Sequence, residues 1–400
     1  MARCACPRCC GRGWVASRPC SRSRRDGVRG RSGESADGVR TVSATQVIHN
    51  FSAGPAALPQ PVRERLAEAL APRPDGQPSV AEISHRGKRF LAIAEELEAR
   101  LRGLMGVGDD HAVVLLQGGA NLQFAWLPMN LARDRTPAYL ISGYWGQKAL
   151  AEARRLGPAE VVGSSADEGF LDLPEMGHLP SECAYLHYTG NETIHGLQFA
   201  SPPAVAVPVA ADLSSEFLSR PYPYADLGLA YAGAQKNLGI AGLTVVLIRR
   251  DLLDRIPDDL PRFLDYRTWV QSDSMYNTPA TLAWYVALET LRWIEEEGGL
   301  AGMAARNQAK AEALYAAIDA SDFYTNPVAA HARSLMNIPF WTADEALVAA
   351  FVGEAEQAGL PGLKGHRALG GLRASLYNAL DMDAVLALVD FMRDFEQRRG

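Results

Sequence analysis

Lys236 lies in the stretch AYAGAQKNLGIAGLTVVLI, among small and apolar residues that suit a buried segment. A long charged side chain is rarely buried unless something pairs with it or removes its charge. A primary amine loses its charge when it condenses with a carbonyl. Upstream, Asp212 ends the apolar run VAVPVAAD. A lysine that holds an aldehyde as a Schiff base, and a carboxylate that keeps a pyridine nitrogen protonated, are together what pyridoxal phosphate chemistry requires. The pair alone leaves a plainer alternative open, because an Asp after a strand often caps a helix and a Lys before a strand is often solvated. A third element, LLQGGANLQF (115–124), runs from an apolar segment through Gly118 and Gly119 into a helix start. Its free backbone N–H groups suit a phosphate, and an ordinary tight turn would look the same. Neither a Walker motif nor a G-x-G-x-x-G fingerprint is present.

These residues need a frame. From residue 60 the chain alternates helical spacing, as in PVRERLAEALA and FLAIAEELEARLRGLMG, with short apolar runs. The runs AVVLL, AYLIS, AYLHY, VAVPVAADLSS and LTVVLI are mostly separated by helical segments such as GQKALAEARRLG. That alternation predicts an α/β fold on a largely parallel sheet, with ligands gathered at the carboxyl ends of its strands. After Thr281 the helical stretch LAWYVALETLRWIEEEGG ends in paired glycines, and the remainder reads as a smaller α+β domain. The expected division is 1–46 as a leader, 47–298 as a large domain and 299–400 as a small C-terminal domain.

Residues 1–40 hold ten arginines, no lysine and three acids, against a net charge of −6 for the whole chain. The body is therefore acidic, which argues against nucleic acid as a partner. No apolar stretch approaches the roughly 18 residues of a membrane helix. The leader also carries Cys4, Cys6, Cys9, Cys10 and Cys20. It could be a metal knot, a targeting peptide, or a disordered segment translated from an early start, and the last is favoured by its low complexity. Cys183 is the one cysteine of the body, so no disulfide framework forms there and a reducing, cytoplasmic setting is expected. No metal is expected at the site.

Eight stretches, in order, carry a resemblance: NFSAGPAALP (50–59), EISHRGKRF (82–90), GYWGQKA (143–149), YTGNETIHG (188–196), ADLSSEFLSRP (211–221), YAGAQKNLGIAGLT (231–244), MYNTPATLAWY (275–285) and LKGHRALGGLRASLYNA (363–379). They resemble the phosphoserine aminotransferases, in class V of the pyridoxal phosphate aminotransferases, from Asn50 to the C-terminus and without the leader. The resemblance implies a fold-type I transferase with a mainly parallel seven-stranded sheet and a smaller C-terminal domain, acting as a homodimer with shared active sites. It implies pyridoxal 5'-phosphate as cofactor, L-glutamate and 3-phosphohydroxypyruvate as substrates, and a place in serine biosynthesis. A phosphorylated hydroxythreonine of vitamin B6 synthesis would suit the same residues.

By the same resemblance Lys236 holds the cofactor aldehyde and Asp212 faces the pyridine nitrogen. Trp145 stacks on the ring and Thr193 donates to the phenolic oxygen. Ala120, Asn121 and Gln235 hold the phosphate, completed by Asn277 and Thr278 of the neighbouring subunit. Asn121 stands where a small or basic residue is expected. Arg373 matches the residue that binds the α-carboxylate. His366 and Arg367, with His85 and Arg86 reaching across the dimer, match those that bind the distal anion. A cysteine desulfurase shares this fold but needs a mobile nucleophilic cysteine, and Cys183 sits inside an apolar run instead.

Overall fold

Apolar runs that can be covered on both faces pair into a seven-stranded sheet, seen in a computed structural model that describes residues 47–72 and 74–400. Residues 1–46, the expected leader with its five cysteines, lie outside the described residues. Strands β1 (His111–Leu116), β2 (Thr136–Ile141), β3 (Glu160–Ser164) and β4 (Cys183–Thr189) are followed by a hairpin of β5 (Asn191–Glu192) and β6 (Leu197–Gln198). Then come β7 (Val209–Asp212), β8 (Leu229–Gly233) and β9 (Thr244–Arg249). The spatial order is β1-β9-β8-β7-β4-β2-β3. Pairing is parallel from β8 to β3, and β9 runs antiparallel to both β8 and β1.

All residues of β1, β4, β7 and β8 are buried, which is why these strands read as mostly apolar, with His111, His187, Thr189 and Asp212 as their buried polar members. Alternate residues serve opposite cores. Val113 and Leu115 face Phe90, Leu97 and Trp284 of the helices Lys88–Met105 and Thr281–Glu296. Val114 and Leu116 face Phe124, Leu127 and Leu150 of the helices Ala120–Leu131 and Tyr144–Leu156. The run at 205–215 is strand only over Val209–Asp212. Pro202, Pro203 and Pro208 precede it, and a proline has no N–H to give a ladder.

A second, antiparallel sheet of β10 (Tyr324–Thr325), β11 (Asn337–Thr342) and β12 (Leu372–Ser375) packs on helices Gly299–Asp319, Val348–Gln357 and Met382–Arg399 through Leu314, Phe351 and Leu388. Gly298, at φ 91°, separates the helix Thr281–Glu296 from the helix Gly299–Asp319. No described helix is long and apolar enough to cross a membrane.

One buried cation ties this second sheet to the strand ends of the first. Lys310 is fully buried, and its Nζ donates to the carbonyls of Leu376 (2.9 Å), Tyr377 (2.8 Å) and Leu380 (3.0 Å). Burial pulls its pKa well below the usual lysine value, while carbonyls that accept all three ammonium protons favour the charged form. The clamped segment reaches the neighbourhood of Lys236, since Tyr377 Oη donates to Ala53 O (2.9 Å) and Asn378 N to Asn237 Oδ1 (3.0 Å). Lys310→Met removes the donors and leaves three carbonyls dry, so unfolding free energy should fall by about 3 kcal/mol. A denaturant midpoint equal to the parent's would show that those carbonyls find other partners.

Candidate active site

Three strand ends of the large sheet converge. Asp212 is the last residue of β7. The turn after β8 carries Gln235 and Lys236 and closes with Leu238 N donating to Ala234 O at 3.2 Å. β1 runs into Gly118 and Gly119, at φ 107° and 74°, and then into the helix Ala120–Leu131. A cavity of about 340 Å³ opens at this point, lined by Asp212, Lys236, Gln235, Ala120 and Asn121. Trp145, Thr193, His366 and Arg373 also line it.

The helix start has no side-chain cap, so its first N–H groups lack intrahelical partners and its dipole presents positive charge. A Cβ at Gly119 would meet nothing within 4 Å, which marks open space beside that helix end. Positive φ at both glycines makes the bend accessible without strain.

Burial pulls the Lys236 amine down to about 8, against the opposing pull of Asp212 and Glu192. Burial likewise pushes the Asp212 carboxyl up, opposed first by Lys236 and then by its bonds to Ser214. Ser214 N donates to Asp212 Oδ1 at 2.9 Å. The pair is thus mutually stabilising in its charged form, in a setting that penalises either charge alone.

Trp145 is fixed from both ends. Its Nε1 donates to Thr193 Oγ1 (2.8 Å) and its backbone N to Glu192 Oε2 (3.1 Å), while Gly146 N donates to Glu192 Oε1 (2.8 Å). Thr193 Oγ1 accepts in that bond, so its own proton stays available to a ligand. Lys236 Nζ stands 5.9 Å from the indole centroid. Glu192, fully buried and pushed up to about 7 by burial, was not singled out in the sequence. Its signal was an acid inside YTGNETIHG, in a stretch buried from Cys183 to Ile194.

Arg373 leaves β12 toward the cavity and donates from Nη1 to Thr193 O (3.1 Å), while its buried Nε has no partner. His366 Nδ1 accepts from Ala368 N (3.2 Å), which places the neutral ring's proton on Nε2. Burial, then Arg373, Arg367 and Lys148, pull its pKa down.

The other expected residues lie outside this cavity's lining. Arg86 is exposed, with Nε donating to His85 Nε2 at 3.4 Å. Arg367 is exposed and lines a neighbouring cavity with Glu345 and Val348. Thr278 is exposed and its carbonyl accepts from Gln117 Nε2 (2.6 Å), while Asn277 Oδ1 is buried without a partner. Cys183 is buried in β4 with its thiol pKa raised by burial, the opposite of an activated nucleophile.

Residues 48–388 match the family Aminotransferase class-V. The phosphoserine aminotransferase of Pseudomonas entomophila (strain L48) is 49% identical over 356 residues, 88% of this chain and 98% of that protein. The solved phosphoserine aminotransferase from Bacillus circulans subsp. alkalophilus superposes with a TM-score of 0.86 at 45% identity, over 88% of this chain and 99% of that one. A PLP-bound phosphoserine aminotransferase from Trichomonas vaginalis does so at 0.82 and 40%, over 86% and 99%. The family match spans every residue that lines the cavity, and the chain belongs to the class-V aminotransferases, among the phosphoserine aminotransferases.

Proposed function

We propose that this chain is a homodimeric, pyridoxal 5'-phosphate-dependent aminotransferase that converts 3-phosphohydroxypyruvate and L-glutamate to O-phospho-L-serine and 2-oxoglutarate. The observation that carries this is the opening of Lys236 and Asp212 into one cavity beside an uncapped, glycine-led helix start. The residues present fit the cofactor. The open N-terminus at Ala120 and Asn121, with Gln235, would hold its phosphate, and contact through backbone N–H would make the Asn121 side chain immaterial. Asp212 would meet the pyridine nitrogen, Thr193 the phenolic oxygen, Trp145 one ring face and Lys236 the aldehyde. When bound, the cofactor supplies a reactive aldehyde and an electron sink.

The chain's own groups do the rest. An amine near 8 has a neutral fraction at neutral pH on the order of 10² larger than a free lysine, so Lys236 can take the proton from the substrate Cα and return it. Arg373 offers an unpaired Nε–H to the α-carboxylate. His366 offers Nε2–H to the distal anion, together with Arg367, His85 and Arg86. A dimer in which His85, Arg86, Asn277 and Thr278 complete the partner's cavity is supported by their position outside their own. We divide the body at Gly298 into a large and a small domain and place the enzyme in the cytoplasm, supported by a body with a single, buried cysteine.

Yellow, purified protein given phosphohydroxypyruvate and glutamate should form 2-oxoglutarate. Absence of product from cofactor-loaded protein would overturn the assignment. The α-carboxylate is common to both substrates, so Arg373→Met should raise both KM values together, by about 10- to 100-fold. An increase confined to one substrate would remove Arg373 from that role.

A further inference from the structure

Lys148 is a cation close to the cavity that none of these roles uses. It lies one helical turn after Tyr144 and three residues after Trp145 on the helix Tyr144–Leu156, so its stem follows the face those rings occupy. Its Nζ stands 5.5 Å from the Tyr144 centroid and 5.5 Å from the Trp145 centroid. Among the described residues its partners are these two rings and no carboxylate, so its charge is not neutralised. The Tyr144 ring also meets the His366 ring, at 5.4 Å. Arg367, next in sequence to His366, borders only the neighbouring cavity, whereas His366 borders both. The mount is firm, because Glu192 holds the backbone of Trp145 and Gly146 in the same first turn.

We propose that Lys148 is a specificity-determining residue, whose charge, set beside the His366 edge of the cavity through Tyr144, favours a distal phosphate over a distal carboxylate. This rests on the aminotransferase function proposed above. One indole has Lys236 Nζ at 5.9 Å and Lys148 Nζ at 5.5 Å, both inside the roughly 6 Å reach of a cation over a ring. Trp145 lines the cavity, so Lys148 stands one ring away from it, and the Tyr144 ring that it covers meets His366, the residue offered to the distal anion. A phosphate monoester carries about −1.5 to −2 at pH 7 and a carboxylate −1. Lys148 is exposed, so each unit of ligand charge gains only a few-fold, and the dianion gains about the square of what the carboxylate gains.

In the cofactor-loaded protein, Lys148→Met should raise KM for 3-phosphohydroxypyruvate about tenfold and for glutamate about threefold, with kcat within about twofold. Lys148→Arg, which keeps the charge, should hold both KM values within about twofold of the parent. Equal rises for the two substrates, or a fall in kcat at constant KM, would overturn the proposal and leave Lys148 as a support for Trp145. Binding of inorganic phosphate to the same holoenzyme, followed by tryptophan fluorescence, separates this from the function itself. If the parent does not transaminate phosphohydroxypyruvate but its phosphate affinity drops about tenfold in Lys148→Met, the cation site stands and the substrate assignment falls. Phosphate affinity unchanged by Lys148→Met overturns the site whatever the assay shows.

Discussion

Lys236→Ala should lower turnover by about 10⁴-fold or more while the fold persists. Two functions leave with the side chain: the amine that condenses with an aldehyde, and the base that moves a proton at the substrate Cα. Position explains why no neighbour can substitute. The other nitrogen bases of the cavity are Arg373, which stays protonated, and His366, whose Nδ1 is committed to Ala368 N. Lys236→Arg keeps the cation beside Asp212 and Glu192 but not the condensing amine, so it should be as inactive as the alanine variant. That comparison separates a chemical role from a charge-balancing one. Stopped-flow mixing with glutamate isolates the first half-reaction, and a melting curve establishes that the variant is folded. Turnover within tenfold of the parent in either variant would remove Lys236 from the chemistry.

The strands that positioned this lysine were readable where both faces are covered. β1, β2, β4 and β9 coincide with apolar runs because each is almost entirely buried. β3 was not readable, since Val162 is the one buried residue of this edge strand and EVVGS shows no run. Residue identity indicated Lys236 and Asp212, but their convergence depends on parallel pairing of β7 with β8, where Asp212 lies opposite Tyr231. Periodicity carries no register between strands. Their assigned roles came from motif resemblance, not from spacing. Of the adjacent residues His366 and Arg367, both border the neighbouring cavity but only His366 also lines the one with Lys236, a distinction no dipeptide encodes. Glu192 and Lys310 were passed over because their partners, at 145–146 and at 376–380, are remote in the chain. A buried acid or lysine looks ordinary until those partners are in place.

Asp212→Asn should reduce kcat by about 10³-fold and weaken cofactor retention by about 10- to 100-fold, with little change in melting temperature. Asparagine preserves the shape and the acceptor for Ser214 N, so the substitution removes charge and little else. A second buried carboxylate, Glu192, lies behind Trp145 outside the cavity lining, and geometry gives the two different tasks. Glu192 is occupied by two backbone N–H groups, and its work is to hold the turn that carries Trp145. Asp212 has one oxygen held by Ser214, lines the cavity, and faces a cost of burial that an ionised carboxylate recovers only from an opposing positive charge. Lys236 supplies such a charge when free, and loses it on condensing with an aldehyde. A protonated pyridine nitrogen would then be the cation that keeps Asp212 ionised, and the carboxylate would in turn keep that nitrogen protonated through the proton transfer at Cα. The neutral asparagine breaks this reciprocity, so the defect should appear in the rate of the half-reaction as well as in binding. If Asp212→Asn lost cofactor affinity but kept the parental half-reaction rate at saturating cofactor, the carboxylate would be an anchor alone, and its part in stabilising charge during the reaction would have to be given up.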